Sequence, residues 1–159
     1  MTYSIHESWN ELQANFEQIL ARVKQELCIF DDDLAHLGLR QAGCFGLLQG
    51  FLLQNPRSIA RIVLRRTDRL HQDHPRLVRL VANQSHRVEV RRIPDSLQAL
   101  RDAIVVADGQ HTLTRPELTH PRAVCILDDP TETMPYAQRF SEIWAEQGTP
   151  FAPTTLGLY

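Results

Sequence analysis

The segment from residue 102 to residue 115 most constrains the fold, because it predicts a β-hairpin with one strand buried on both faces. Its first part, DAIVVA (102–107), is apolar after the leading aspartate, as expected of a central strand covered on both sides. Asp108 and Gly109 follow, a dipeptide that favours a two-residue hairpin turn. QHTLTR (110–115) can then return as the antiparallel neighbour. The hairpin therefore predicts a sheet with a layer on each face.

Helical patterns occur at several places along the chain. Apolar residues from Trp9 to Val23 recur every three or four positions, which predicts an amphipathic helix over residues 4–25. This helix occupies most of the predicted N-terminal segment, residues 1–25. Proline suits a first helical turn, and two later segments begin with one. The further predicted helices are residues 45–54, a segment starting near Pro75, and a segment from Pro130 through Trp144.

Short apolar or alternating runs between these helices predict strands. They lie at residues 26–30, 58–66, 86–93 and 123–127, in addition to the hairpin, and residues 149–159 form a C-terminal tail rich in Pro, Thr and Gly. Helices alternate with strands, and the hairpin adds an antiparallel pair. The sequence therefore predicts an α/β fold with a mixed sheet flanked by helices, in a single domain spanning residues 1–159.

Length and composition exclude several classes of protein. The chain of 159 residues is long enough for one domain with its own core, and no apolar run approaches the roughly 18 residues that span a bilayer. Glu7, Glu11 and Glu17 interrupt the first twenty residues, unlike a secretion signal. Three cysteines cannot all pair, and two lie in apolar runs. These features predict a cytoplasmic protein with no membrane contact.

Charge is segregated along the chain although the formal net charge is only −2. Ten arginines lie between Arg57 and Arg92, against three acidic residues. Such a stretch could follow a nucleic-acid backbone. The segment lacks interleaved aromatic residues for base stacking, however, and the isoelectric point is near 6.4. A solvated strand face, or pairing with acidic residues of another subunit, is favoured over nucleic-acid binding.

The order of elements around ELCIF, RIVLRR, HRVEVRRI and DAIVVADG resembles one half of the phospholipase D superfamily. In active members a strand carries His-x-Lys-x4-Asp, followed by a Gly-Ser-x-Asn stretch, and two halves join at a shared site. One histidine attacks phosphorus, the other protonates the leaving group, and the lysines hold the nonbridging oxygens. In this sequence Arg101 takes the histidine position, Ala103 the lysine position and Asp108 the aspartate position, and TRPELT replaces the Gly-Ser-x-Asn stretch.

These replacements predict that the superfamily reaction is absent. A guanidinium stays protonated near neutral pH and cannot act as a nucleophile, and alanine has no donor. Arg101 and Arg115 both fall where the superfamily's cleft forms, and paired guanidinium donors could bind an anion such as phosphate there. We therefore predict no catalytic residue, and name these two arginines as candidates for anion binding. Weaker candidates are His111, His120 and Asp108.

A closer resemblance is to an uncharacterised proteobacterial family with such a degenerate half, in some relatives placed behind an N-acetyltransferase domain. The segments that carry it are CIFDDDL, RPELTHPRAVCILDDP and FSEIW through TTLGL. The resemblance implies a fold and no established activity. It also raises the prospect of an acetyltransferase partner acting in trans.

Two acidic clusters and one histidine pair are candidate metal sites. Asp31 to Asp33 and Asp128 to Asp129 each follow a predicted strand and could hold magnesium or calcium. Capping of the following turn or helix is favoured. His71 and His74 suggest zinc, but Pro75 disfavours helical geometry at His74. The sequence therefore predicts no metal site and no cofactor.

Three functional hypotheses follow. The leading one is a noncatalytic phospholipase D-like domain that binds a phosphate-bearing or other anionic ligand, or a protein partner, as a homodimer. The second is a divergent phosphodiesterase or nuclease with a site rebuilt around His111 or His120. The third is an accessory module of an acetyltransferase or another enzyme.

Overall fold

Eight strands account for the sheet in the computed structural model, which describes residues 2–154. They are β1 (Thr2–His6), β2 (Glu26–Asp31), β3 (Ile59–Leu64), β4 (Val88–Arg92), β5 (Ala103–Ala107), β6 (His111–Arg115), β7 (Ala123–Leu127) and β8 (Thr149–Pro150). Their spatial order is β1-β7-β6-β5-β2-β3-β4-β8. Strands β2, β3 and β4 run parallel to one another, and all other neighbours are antiparallel. The predicted mixed sheet is therefore confirmed.

Five α-helices connect these strands within residues 2–154. They are α1 (Trp9–Arg22), α2 (Ala42–Gln54), the short α3 (Leu70–Asp73), α4 (Pro75–Asn83) and α5 (Pro130–Ala145), with a further 3-10 turn at Asp95–Leu97. The predicted starts at Pro75 and Pro130 are both confirmed, as proline's fixed φ favours in a first helical turn. None of these helices has the length and apolar character needed to cross a bilayer.

The sheet has a hydrophobic layer on each face because side chains alternate along its central strands. On β2, Leu27 and Ile29 join a large cluster with α1, α2 and α4. Cys28 and Phe30 point the other way and pack with residues of α5. Alternate side chains of β2 thus pack against α1, α2 and α4 on one face of the sheet and against α5 on the other.

The predicted hairpin is confirmed in its backbone geometry. Asp108 and Gly109 have φ values of 57° and 65°, and the Gln110 N–H donates to the Ala107 carbonyl across 2.9 Å. Two consecutive positive φ values match the twist of the strands that flank a two-residue turn. Residues of β5 then pair with β6 from Ala107 and His111 at the turn to Ala103 and Arg115 at the far end.

Both ends of the chain differ from prediction. Residues 4–6, expected to be helical, belong to β1, which pairs with β7, and the helix starts only at Trp9. Ser8 accepts a hydrogen bond from the Glu11 N–H and caps α1 there, which ends the strand and starts the helix. At the other end, the first two residues of the predicted tail form β8, a strand that the sequence did not indicate, which pairs with β4 at Arg91 and Arg92. Residues 155–159 lie outside the described residues.

Candidate functional site

The edge of the sheet where β2 ends holds Arg101 and Ala103, the two positions assigned from the sequence to the superfamily's histidine and lysine. Because β5 runs antiparallel to β2, its first residue Ala103 lies near the carboxyl end of β2 at Asp31. Arg115 ends β6 directly opposite Ala103. Arg101 lies two residues before β5, so it belongs to the same edge.

Arg115 is fully engaged inside the protein. One guanidinium nitrogen donates to Asp31 Oδ1 at 2.6 Å, and another donates to the Leu118 carbonyl at 2.6 Å. The side chains of Arg115 and Asp31 are each only 3% exposed. Burial raises the pKa of Asp31, and the adjacent guanidinium opposes that rise. The positive charge of Arg115 is therefore balanced before any ligand binds.

The space beside this ion pair is nearly closed. A cavity of about 10 Å³ lies among residues of β2, β5 and β6, bordered by Asp31, Ala103 and Arg115 together with apolar neighbours such as Phe30 and Leu113. A single buried water needs about 10–15 Å³ of such volume. A phosphate group is much larger than a water molecule, so the described conformation has no room for one.

Arg101 is exposed and has a different partner. Its guanidinium donates to Glu117 at 2.6 and 3.3 Å, and this hydrogen bonding lowers the pKa of Glu117 to about 2. The two predicted anion-binding arginines therefore lie at one edge of the sheet but each is paired with its own carboxylate. They do not form a shared, unoccupied pair of cationic groups.

Asp108 has a structural role at the opposite end of β5. Its carboxylate accepts backbone hydrogen bonds from Lys24, Gln25 and Glu26 at 2.8 to 2.9 Å. These bonds hold the turn between α1 and β2 against the hairpin. Asp108 follows the last residue of β5, whereas Arg101 precedes the first. The length of the strand therefore separates these two residues, by a distance on the order of 15 Å.

The two candidate histidines are also separated from each other. His111 lies at the hairpin end of β6 and is buried, and its Nδ1 accepts a hydrogen bond from the Asp128 N–H at 2.9 Å. Burial is the main cause that lowers the pKa of His111. His120 is exposed in the loop after the other end of β6. The fold therefore does not bring these imidazoles into one site.

The acidic clusters form caps and ion pairs. Asp33 accepts from the Ala35 N–H, and Asp129 caps α5 by accepting from the Glu132 N–H. Asp32 pairs with Arg66. Within residues 2–154 no group of three or more His, Cys, Asp and Glu side chains is arranged to hold a metal ion.

Most of the arginine-rich stretch is internally paired. Arg87 donates to backbone carbonyls at the end of α2, including that of Asn55 at 2.8 Å. Arg87 and three further members have no carboxylate within ion-pair distance among the described residues. The three are Arg57, Arg76 and Arg79. The six others pair with acids, as Arg61 with Glu26, Arg65 and Arg66 with Asp32, Arg69 with Asp73, Arg91 with Glu89 and Arg92 with Asp95.

Sequence reasoning missed a larger cavity between α2 and α4. It has a volume of about 520 Å³ and is bordered by Phe45, Arg76 and Arg79, among others. The available signal was the spacing of the two arginines, which puts them on one face of a predicted helix. Their lack of acidic partners depends on the tertiary fold and could not be read from the sequence.

A family model described as "Domain of unknown function (DUF7931)" matches residues 8–151. The chain belongs to the DUF7931 family. No curated protein has a detectably similar sequence to this DUF7931 chain.

Solved structures with the same fold were also found. Nuc of Salmonella typhimurium, a phospholipase D family member, has a TM-score of 0.62 at 12% identity, over 94% of this chain and 97% of Nuc. NucT from Helicobacter pylori has a TM-score of 0.59 at 5% identity, over 94% of this chain and 99% of NucT. The predicted phospholipase D-like fold is thereby confirmed.

An archaeal chromatin protein, TrmBL2, is structurally similar as well. Its TM-score is 0.65 at 16% identity, and the match covers 95% of this chain. The DUF7931 chain spans only 54% of the TrmBL2 chain, whose structure is described as showing a novel mode of DNA binding. At these identities the likenesses establish a common fold.

Proposed function

We propose that this DUF7931 chain is a noncatalytic phospholipase D-like domain that acts by binding a phosphate-bearing ligand. The buried ion pair between Arg115 and Asp31 carries the noncatalytic part of the proposal, because it fills the edge where Arg101 and Ala103 replace the superfamily's histidine and lysine. Neither replacement supplies a nucleophile or a second cation beside an open space.

The state of His111 supports the same conclusion. Its Nδ1 lone pair accepts the Asp128 N–H, so in the neutral ring the proton lies on Nε2. An attacking imidazole needs a free lone pair directed at phosphorus. The alternative of a phosphodiesterase or nuclease rebuilt around His111 would therefore require this hydrogen bond to break.

Hydrolysis of bis(4-nitrophenyl) phosphate tests the noncatalytic proposal. We expect no release of 4-nitrophenolate above the buffer rate, with or without added Mg²⁺ or Zn²⁺. An active phosphodiesterase, assayed in the same buffers, provides a positive control. Hydrolysis that disappears in Arg101→Ala or in His111→Asn would contradict the proposal and identify which site had been rebuilt.

The same proposal includes a homodimer formed through the free edge of β1. Residues Thr2–His6 contain no Lys, Arg, Asp or Glu, and Tyr3 and Ile5 are 60% and 50% exposed. Charged residues and prolines are the usual protection of such an edge against pairing. A second β1 could pair antiparallel with it about a twofold axis.

Light scattering coupled to size exclusion tests the dimer. We expect a dimeric mass for the unmodified chain and a monomeric mass for Tyr3→Lys, whose ammonium would be placed in the strand-to-strand contact. Met134→Lys is the matched control, because Met134 is 57% exposed on α5. A monomeric mass for the unmodified chain would remove the dimer from the proposal.

A further inference from the structure

The cavity between α2 and α4 is built from one face of each helix. On α4 the bordering residues are spaced by three and four positions, as are those on α2. They are Arg76, Arg79, Leu80 and Asn83 on α4, and Ala42, Phe45 and Gln49 on α2. Its volume of about 520 Å³ falls within the range typical of small-molecule sites.

The cavity combines unpaired positive charge with apolar side chains. Phe45 is buried and Leu80 is half-buried, so they provide an apolar floor. Arg76 and Arg79 are exposed one helical turn apart, with no carboxylate within ion-pair distance in the described part of the chain. Arg101 and Arg115 differ in this respect, since each already holds an acid.

We propose that this cavity binds a small phosphate monoester with an apolar or aromatic body. A phosphate monoester carries about −1.5 to −2 charges at neutral pH, which two guanidinium groups can balance. The ester's organic part would lie over Phe45 and Leu80. This inference rests on the proposed function and gives its ligand a location away from the edge that holds Arg115.

Calorimetric titration with 1-naphthyl phosphate tests the site. We expect saturable binding that weakens with added salt, with weaker binding of inorganic phosphate and of 1-naphthol, since each lacks half of the recognised chemistry. Loss of both charge-assisted contacts in Arg76→Ala/Arg79→Ala should weaken binding by about tenfold or more.

Arg57→Ala is the matched control, because Arg57 is exposed and lacks a carboxylate partner among the described residues, yet does not border the cavity. It should leave the affinity unchanged. Three results would overturn the site. They are equal weakening of binding by Arg57→Ala, absence of saturable binding of 1-naphthyl phosphate, and, in a parallel titration, binding to phosphatidic acid vesicles alone. Release of 1-naphthol during the titration would instead contradict the noncatalytic function, so the two failures are distinguishable.

Discussion

Arg115 and Asp31 are 84 positions apart in the sequence and meet as a buried ion pair, with 2.6 Å between a guanidinium nitrogen and a carboxylate oxygen. The pair joins the ends of β6 and β2, two strands separated by β5. It lies at the same edge of the sheet as Ala103, which is paired directly with Arg115 across β5 and β6.

Breaking this pair from one side should strongly destabilise the fold. Arg115→Met leaves the Asp31 carboxylate buried without its cation, so we expect the free energy of unfolding to fall by about 3–5 kcal/mol. Urea denaturation followed by circular dichroism measures this. The double variant Arg115→Met/Asp31→Leu should recover much of the loss, because no uncompensated charge remains buried. Equal losses in the single and double variants would show that packing, rather than charge, dominates.

Restoring the superfamily's lysine should be costly in this chain. Ala103 is 5% exposed and lies opposite Arg115, so Ala103→Lys would bury a second cation beside the first. We expect a loss of about 3 kcal/mol or more in unfolding free energy, beyond that of Ala103→Met, which adds similar length without charge. Thermal and urea unfolding of the two variants give the comparison. Equal stabilities would mean that the ammonium reaches water, and that the edge is more open than described.

The Asp108 carboxylate should matter for stability rather than for any reaction. Asp108→Asn keeps the size but replaces one accepting oxygen by an amide nitrogen, and we expect a loss of about 2 kcal/mol. Asp108→Gly tolerates the φ of 57° but removes all three backbone hydrogen bonds, so its loss should be larger, about 3–4 kcal/mol. Gly109→Ala, which disturbs only the turn backbone, should cost about 1 kcal/mol. Denaturant midpoints that ranked the turn variant worst would reject this role.

Stability should decline with acidification below about pH 6.5, the ordinary pKa of histidine. Burial lowers the pKa of His111 in the folded chain, so the unfolded chain binds its proton first as the pH falls. His74 has a lowered pKa for the same main reason and contributes with the same sign. Each residue can contribute up to about 1.4 kcal/mol per pH unit within its window.

His111→Asn isolates one of these contributions. The Asn side-chain oxygen can still accept the Asp128 N–H but does not titrate. Unfolding measured from pH 8 to pH 4.5 should therefore show a shallower decline for this variant, with His74 retaining its share. A decline identical to that of the unmodified chain would mean that His111 does not titrate differently in the folded and unfolded states.

Local patterns were sufficient for most of the fold. The Asp108-Gly109 dipeptide determined the hairpin, because few residues accept two successive positive φ values. Pro75 and Pro130 marked helix starts through their fixed φ. Periodicity alone failed before Trp9, because the short run from Thr2 to His6 is compatible with both the helical and the strand period. Its pairing with β7 is what makes it a strand.

The candidate site was less accessible from sequence because charge pairing is a long-range property. Arg115 ends β6 opposite Ala103, but its partner Asp31 belongs to a strand far away in the sequence. Similarly, Arg76 and Arg79 resembled the other arginines of their segment until the fold showed which ones had acidic neighbours. Arg76 and Arg79 differ from most of these arginines because the fold places no carboxylate within ion-pair distance of them in the described part of the chain.

The two borders of the sheet differ in a way that would limit assembly size. Among residues 2–154 the only strand beyond β4 is the two-residue β8, in which Pro150 has no N–H to offer another chain. Addition of chains could then occur at the β1 border alone, and joining two of those borders leaves none for a third copy. Pairing through β1 would thus yield a finite particle of this chain instead of a growing fibre.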